Sequence, residues 1–197
     1  EASLTGHLVL STLHTNSAPE TVVRLLDMGL DPLNFADSLL GILAQRLAKC
    51  LCSDCRELYH PTREEYDAIA THYGEEAFAK WGVPYSKNFT LYRPKGCPEC
   101  GMTGYRGRIA VHELLINSDG IKSLIQRQAT VDELREAAIE DGMSLLFQDG
   151  IHKVLDGLTD FDQVRRVCIS ASRSIKKSAH RKAALSKEQK NSRKKDG

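Results

Sequence analysis

Two Cys-x-x-Cys pairs, Cys52/Cys55 and Cys97/Cys100, constrain this chain more than any other feature of its sequence. Each spacing is that of a metal-binding knuckle, and two knuckles together can close a tetrahedral four-thiolate site. Segments separated by 41 residues (56–96) must then meet in space. The second knuckle reads Gly96-Cys-Pro-Glu-Cys-Gly101, with glycine where backbone amides have to approach the sulfurs. A four-cysteine site has no open position for a substrate water, so the role expected is structural and the metal expected is zinc. The loop between the pairs exceeds the usual ribbon spacing of about 15–20 residues, and free thiols are the alternative. Cys50 and Cys168 fall outside the pattern. The chain opens Glu1-Ala-Ser-Leu-Thr5, without the basic start of a secretory signal, which favours metal thiolates over a disulfide framework.

The 197 residues provide for one ordinary domain or one and a half small ones, and 41% hydrophobic with 27% charged residues is ordinary globular composition. No apolar run approaches the roughly 20 residues of a membrane span. The start, lacking Met and lying directly before an apolar run, reads as cut from something longer. The net charge of +1 conceals an asymmetry. Residues 171–197 carry ten Lys/Arg against two Asp/Glu, a balance of +8 that leaves −7 for the rest. That tail has no aromatic residue and too little apolar surface to offset the entropy of ordering, so disorder is expected there.

Upstream of the cysteines, residues 7–13 form a short apolar run between Gly6 and Asn16, which predicts a strand buried on both faces, as in a parallel sheet covered by helices. Its carboxyl end would present Ser11, Thr12, His14, Thr15 and Asn16 together, where open α/β sheets bind ligands. The alternative is that His14 and Thr15 merely cap the next helix and face water. Ser17-Ala-Pro-Glu20 predicts that helix, with Gly29 as its stop. Asp31-Pro32 opens a longer predicted helix to Lys49, with Phe35, Leu39, Leu43 and Leu47 recurring every four residues. Between the cysteine pairs, Thr62-x-x-Glu65 caps a helix to about Tyr73, and Phe89–Tyr92 reads as a strand. Residues 109–116 are again strand-like. Three further helices follow, opened at Thr130, Ser144 and Thr159, with Gly142 and Gly157 stopping the first two. Leu134, Ala138, Leu145, Leu146, Ile151, Val154, Leu155, Val164 and Val167 would share one small core. The domains expected are 1–49, 50–108 around the cysteines, 109–170, and the tail 171–197.

Three blocks, in this order, resemble the C-terminal part of the ATPases that drive type II secretion and type IV pilus assembly. TGHLVLSTLHTN (5–16) resembles their histidine box. LLGILAQRLAK, followed by the first Cys pair and GCPECGMTGYRGR, resembles the end of their ATPase core and their four-cysteine subdomain. AIEDGMSLLFQDGIHKVLDGLTDFDQVRRV (138–167) resembles their closing helices. The resemblance implies an α/β fold: the remnant of a RecA-type P-loop ATPase core, an inserted zinc subdomain and a small helical C-terminal subdomain. It implies a hexameric motor that binds ATP and Mg²⁺ between subunits and works at the cytoplasmic face of the inner membrane on platform proteins. Carried over by motif, the box histidines are His7 and His14, and with Thr12 they are the candidate catalytic residues. An imidazole at position 14 would sense or stabilise developing phosphoryl charge, whereas His7 suits a structural or subunit contact.

The sequence also departs from that pattern. It contains no GxxxxGK[ST] phosphate loop and no Walker B carboxylates for Mg²⁺, without which neither the phosphates nor their charge are held. A fragment inactive by itself is the expectation. Two other readings stand beside it: a zinc-ribbon binding module whose basic tail contacts nucleic acid or an anionic membrane, and a nucleotide-free scaffold subunit. Eight Lys/Arg balanced by eight Asp/Glu in residues 50–108, and a tail without stacking aromatics, argue against nucleic acid.

Overall fold

The computed structural model describes residues 2–3 and 5–168. The basic tail and its expected disorder lie outside the described residues.

A long antiparallel strand pair organises the molecule. β1 (Gly41–Leu51) runs beside β4 (Tyr105–Ile116), in register from Gly41↔Ile116 to Lys49↔Arg108, with an irregularity at Cys50 before Leu51↔Tyr105. β1 corrects the predicted helix from Asp31 to Lys49. Helix α2 covers only Pro32–Ser38, and the Asn117 side-chain amide donates to Ala36 O and Leu39 O, satisfying carbonyls left open at its end. The misreading has a simple cause: a spacing of four is a helical repeat and also an even number, so it equally places residues on one face of a strand. That face turns out to be the outer one. Leu43 and Leu47 are 58% and 50% exposed, while Ile42, Ala44 and Ala48 face the core. Residues 41–51 are rich in helix formers, but β4 offers them a ladder of backbone hydrogen bonds, and tertiary pairing overrides local propensity.

The helices lie against the inner face in two groups, in place of the single shared core expected. The first joins α1 (Ala18–Asp27), α2, α5 (Asp119–Gln126) and α6 (Val131–Glu140) around Val22, Leu115, Ile121, Ile125, Leu134 and Ala138. The second joins α7 (Leu146–Leu155), α8 (residues 161–168) and the segment between the cysteine pairs around Ile69, Leu91, Val111, Ile151, Val154 and Val164. Leu145 and Leu146, adjacent in sequence, fall into different groups because the chain crosses the sheet face there.

Local capping explains most helix starts. Thr62 and Thr130 each accept the backbone N–H three residues on, and Glu65 and Glu133 return the bond, opening α3 (Arg63–Tyr73) and α6. At α1, Ser17 Oγ accepts from Glu20 N–H, but the Glu20 carboxylate reaches the Asn16 N–H, so only half of the predicted box forms. Thr159 does not open α8. Asp160 accepts the Gln163 N–H, and the Thr159 hydroxyl is diverted to Lys49 O. Helices α4 (Glu75–Trp81) and α5 are additions to the elements expected. Between the cysteine pairs, β2 (Glu57–Tyr59) pairs with β3 (Leu91–Arg93), two residues later than the strand predicted at 89. Tyr66 packs edge-on against Phe78 and Phe89, and Tyr73 stacks on Trp81 at 5.3 Å.

The strand expected over residues 7–13 does not form. No ladder is assigned there, and Leu8 and Leu10 are 74% and 88% exposed. A strand buried on both faces requires neighbouring strands, and among the described residues none pairs with this segment. No helix of the described residues is long and apolar enough to cross a membrane.

Candidate metal centre and the histidine segment

The first knuckle follows β1 and the second precedes β4, so the β1–β4 ladder carries both to one end of the molecule. All four sulfurs lie within 4.8 Å of one another. Cys52 to Cys97 and Cys55 to Cys100 are each 3.9 Å, and Cys97 to Cys100 is 3.7 Å. A tetrahedral ion with metal–sulfur bonds of about 2.3 Å requires sulfur–sulfur edges of about 3.8 Å. The four thiols therefore fit such an ion with little movement.

The backbone is already folded around the sulfurs. Arg56 N–H donates to Cys52 O, and Met102 N–H donates to Cys97 O, closing the two turns. Cys97 N–H and Gly104 N–H both donate to Cys100 Sγ at 3.2 Å. Gly104 can come so close because it takes φ +75 and a Cβ there would lie 2.4 Å from the Pro94 Cβ. Burial raises the Cys100 thiol, but these donors outweigh it and hold the group at about 6. Burial pushes the neighbouring Cys55 up to about 12. Such a set suits a cation that converts all four thiols to thiolates. Arg106 and Asp54 add an exposed ion pair across the two knuckles at 3.7 Å, worth little in water. Cys50 lies outside the cluster, and Cys168 is buried among the closing helices, its thiol raised to about 12 by burial.

His7, Thr12 and His14 are all exposed on the open segment, and the structure does not bring them to the cysteines. His7 Nδ1 lies 3.1 Å from the Thr5 hydroxyl. The carboxyl end of the segment is anchored to β1 and α1. Arg46 of β1 donates from Nη2 to Thr15 O (3.0 Å) and Asn16 Oδ1 (3.2 Å), and Thr15 and Thr21 share a hydroxyl hydrogen bond of 2.6 Å.

The anchoring has a second component that the sequence reading omits. Glu113 is 2% exposed, and its two oxygens accept backbone N–H groups from Ala18 (2.9 Å) and Leu146 (3.3 Å), the first residues of α1 and α7. One carboxylate thus caps two helices from the sheet between them, where each helix end favours negative charge. Burial outweighs the two donors and raises its pKa above the ordinary carboxylate value. The signal was present: Ile109, Val111, Glu113 and Leu115 alternate along a strand, which places the glutamate on the inner face.

The profile of the family described as Type II/IV secretion system protein matches residues 1–166. The type IV pilus assembly ATPase PilB of Myxococcus xanthus is 45% identical over 166 residues, covering 83% of this chain and 27% of that protein. The type II secretion system protein E of Pseudomonas aeruginosa is 43% identical over 167 residues, covering 85% of this chain and 31% of that protein. The PilB of Thermus thermophilus is 39% identical over 164 residues, which are 83% of this chain and 17% of that protein. The chain spans less than a third of the length of these relatives. With a match over most of the chain and a four-cysteine cluster formed within one of the three blocks that carry the resemblance, the chain belongs to the Type II/IV secretion system protein family.

Proposed function

We propose that this chain is the C-terminal part of a hexameric motor ATPase that couples ATP hydrolysis to type II protein secretion or type IV pilus assembly. The observation that carries the reading is the alignment of most of this chain with proteins named secretion and pilus ATPases, over under a third of their length. Its missing phosphate loop and Mg²⁺ carboxylates fit the same reading: the portion present does not contain the parts that position a nucleotide. In this reading the chain by itself does not turn over ATP. Its core portion is RecA-type, and the assembled motor works peripherally at the cytoplasmic face of the inner membrane against platform proteins.

In the assembled motor His14, with Thr12 beside it, would approach the γ-phosphate, and His7 would stand at the far end of the segment toward a neighbouring subunit. Arg46 and Glu113 hold the anchored end of that segment on the ladder, so they set where His14 starts from. The four cysteines hold one zinc ion, which supplies a closed structural crosslink. The residues around it fold both knuckles and leave no place for a reacting water.

ATP turnover by the purified 197-residue chain tests the first claim: none is expected, and measurable hydrolysis overturns it. For the motor, His14→Ala introduced into the source organism should abolish exoprotein secretion or surface piliation at unchanged protein level, by lowering kcat more than nucleotide binding. Normal secretion and piliation would remove His14 from the mechanism. The tail 171–197 would add electrostatic docking to an anionic leaflet, at about 1 kcal/mol per Lys or Arg near the surface. Sedimentation with acidic vesicles, with and without residues 171–197, decides that point: binding should disappear on truncation and weaken with salt.

A further inference from the structure

The turn that joins α7 to α8 rests in a cradle built by residues close in sequence to the metal ligands. Arg56, next after Cys55, donates from Nη1 to Gly157 O at 2.6 Å, with its guanidinium 4.4 Å from the centre of the Tyr92 ring. Leu51, next before Cys52, donates its N–H to Leu158 O at 2.9 Å. Lys49 O accepts the Thr159 hydroxyl at 2.7 Å, and Tyr105 donates its hydroxyl to Asp160 Oδ2 at 2.6 Å. Four consecutive residues, 157–160, are thus each held from the flank of a knuckle. Gly157 is required at its place: φ is +71, and a Cβ would lie 2.5 Å from Tyr92 Cδ2 and 3.1 Å from Arg56 Nη1.

Lys49, Leu51 and Tyr105 stand on the β1–β4 ladder, while Arg56 adjoins and Tyr92 belongs to the short β2–β3 pair. Between the two knuckles themselves the links are the Cys52 N–H bond to Gly104 O, the exposed Arg106–Asp54 ion pair and whatever bridges the sulfurs. Without a cation, thiolates 3.7–3.9 Å apart repel one another, and neutral thiols make only weak hydrogen bonds. Arg56 is placed by the turn that Cys52 and Cys55 close, and Tyr105, opposite Leu51 at the end of the ladder, directly follows Gly104, whose N–H donates to Cys100 Sγ.

We propose that the metal centre is the latch for the closing helices: the cradle for residues 157–160 forms when the four cysteines are bridged, so metal binding and docking of α8 are energetically coupled. The inference rests on the reading of the four cysteines as a zinc site. Coupling between two sites is reciprocal, so anything that loosens the turn must weaken metal binding by the same factor. The competing account is that α8 docks through the apolar contact of Val164 with α7 alone, indifferent to the metal.

The test is competition for Zn²⁺ between the full 197-residue chain and a chromophoric chelator. Arg56→Gln and Gly157→Ala should each weaken Zn²⁺ binding about tenfold, the effect of losing one charge-assisted hydrogen bond that is fully coupled to the site. Thr159→Val should weaken it several-fold, and it carries the test if Gly157→Ala fails to fold. Ile125→Val, in the other helix group, should leave Zn²⁺ affinity unchanged. In the wild type, removing Zn²⁺ should speed amide exchange at Gln163 and Val164 of α8 while Leu134 of α6 stays protected. If the wild type binds Zn²⁺ and the folded Arg56 and Thr159 variants bind it within twofold of wild type, the latch is wrong and the metal reading stands. If the wild type binds no Zn²⁺, both fall.

Discussion

Replacing Glu113 by Gln removes a charge and almost nothing else, so it isolates what a buried carboxylate between two helix ends contributes. The wild-type side chain accepts from Ala18 N–H and Leu146 N–H. Glutamine keeps one acceptor. With its oxygen on the shorter bond to Ala18, its NH₂ group faces the Leu146 N–H, donor against donor. The lost charge-assisted bond amounts to about 1.5–3 kcal/mol, and the lost charge at two helix N-termini adds about 0.3–1 kcal/mol each. The charge no longer has to be desolvated, and because burial outweighs the two donors this offsets the charge terms, leaving the unsatisfied Leu146 N–H as the net loss. A net destabilisation of about 1–3 kcal/mol follows, lowering Tm by about 2–10 °C for a domain of this size. Glu113→Ala leaves both N–H groups unsatisfied and opens a cavity, so it should cost more, about 4 kcal/mol.

The pH dependence has a definite sign. The folded-state pKa of Glu113 is raised, so the folded protein holds this proton more tightly than the unfolded chain does. The contribution is complete below the unfolded carboxylate value and is lost as pH rises through the raised folded value. The wild-type advantage over Glu113→Gln should therefore be larger at pH 5 than at pH 8. Thermal unfolding followed by far-ultraviolet circular dichroism, and by the fluorescence of the single tryptophan, Trp81, measures it in zinc-saturated protein. If both variants melt within about a degree of wild type, or if the advantage grows with pH, the capping role is wrong.

Leu115→Ala should cost about 2–5 kcal/mol by urea unfolding, whereas Leu43→Ala, 58% exposed on the opposite face of the ladder, should cost about 0.5 kcal/mol or less. Equal costs would mean that the strand faces are assigned wrongly. Cys52→Ser should lose the metal by elemental analysis and unfold the segment between the cysteine pairs, since zinc–thiolate ligation contributes on the order of 10 kcal/mol in small peptides; Cys50→Ser should change neither. Arg46→Gln releases the Thr15 and Asn16 oxygens, so limited proteolysis within residues 7–16 should accelerate several-fold while cleavage elsewhere is unchanged.

What could be read from the sequence was what depends on neighbours in the chain. Thr62 with Glu65 and Thr130 with Glu133 open helices because a cap and its partner lie three residues apart, a distance independent of the rest of the fold. The knuckles were legible for the same reason, since each Cys-x-x-Cys turn is closed by bonds inside itself. Helix α4 escaped notice because it starts at Gly74 with no side-chain cap, and α5 because its Ser118 cap has no glutamate returning the bond.

Only the tertiary structure decided what depends on distant partners. Residues 41–51 are locally helical in composition and become a strand because β4 supplies a ladder from more than 50 positions away. The apolar run at 7–13 remains open for the converse reason: strand propensity is a preference for a paired, half-buried surface, and no described strand lies beside it. Glu113 became a joint between two helices, and Arg56 a support for the turn at 157–160, through contacts spanning 95 and 101 residues. Caps and knuckles are closed by bonds within a few residues, whereas strand pairing, buried charge and the docking of the closing helices exist only once the two ends of the β1–β4 ladder have met.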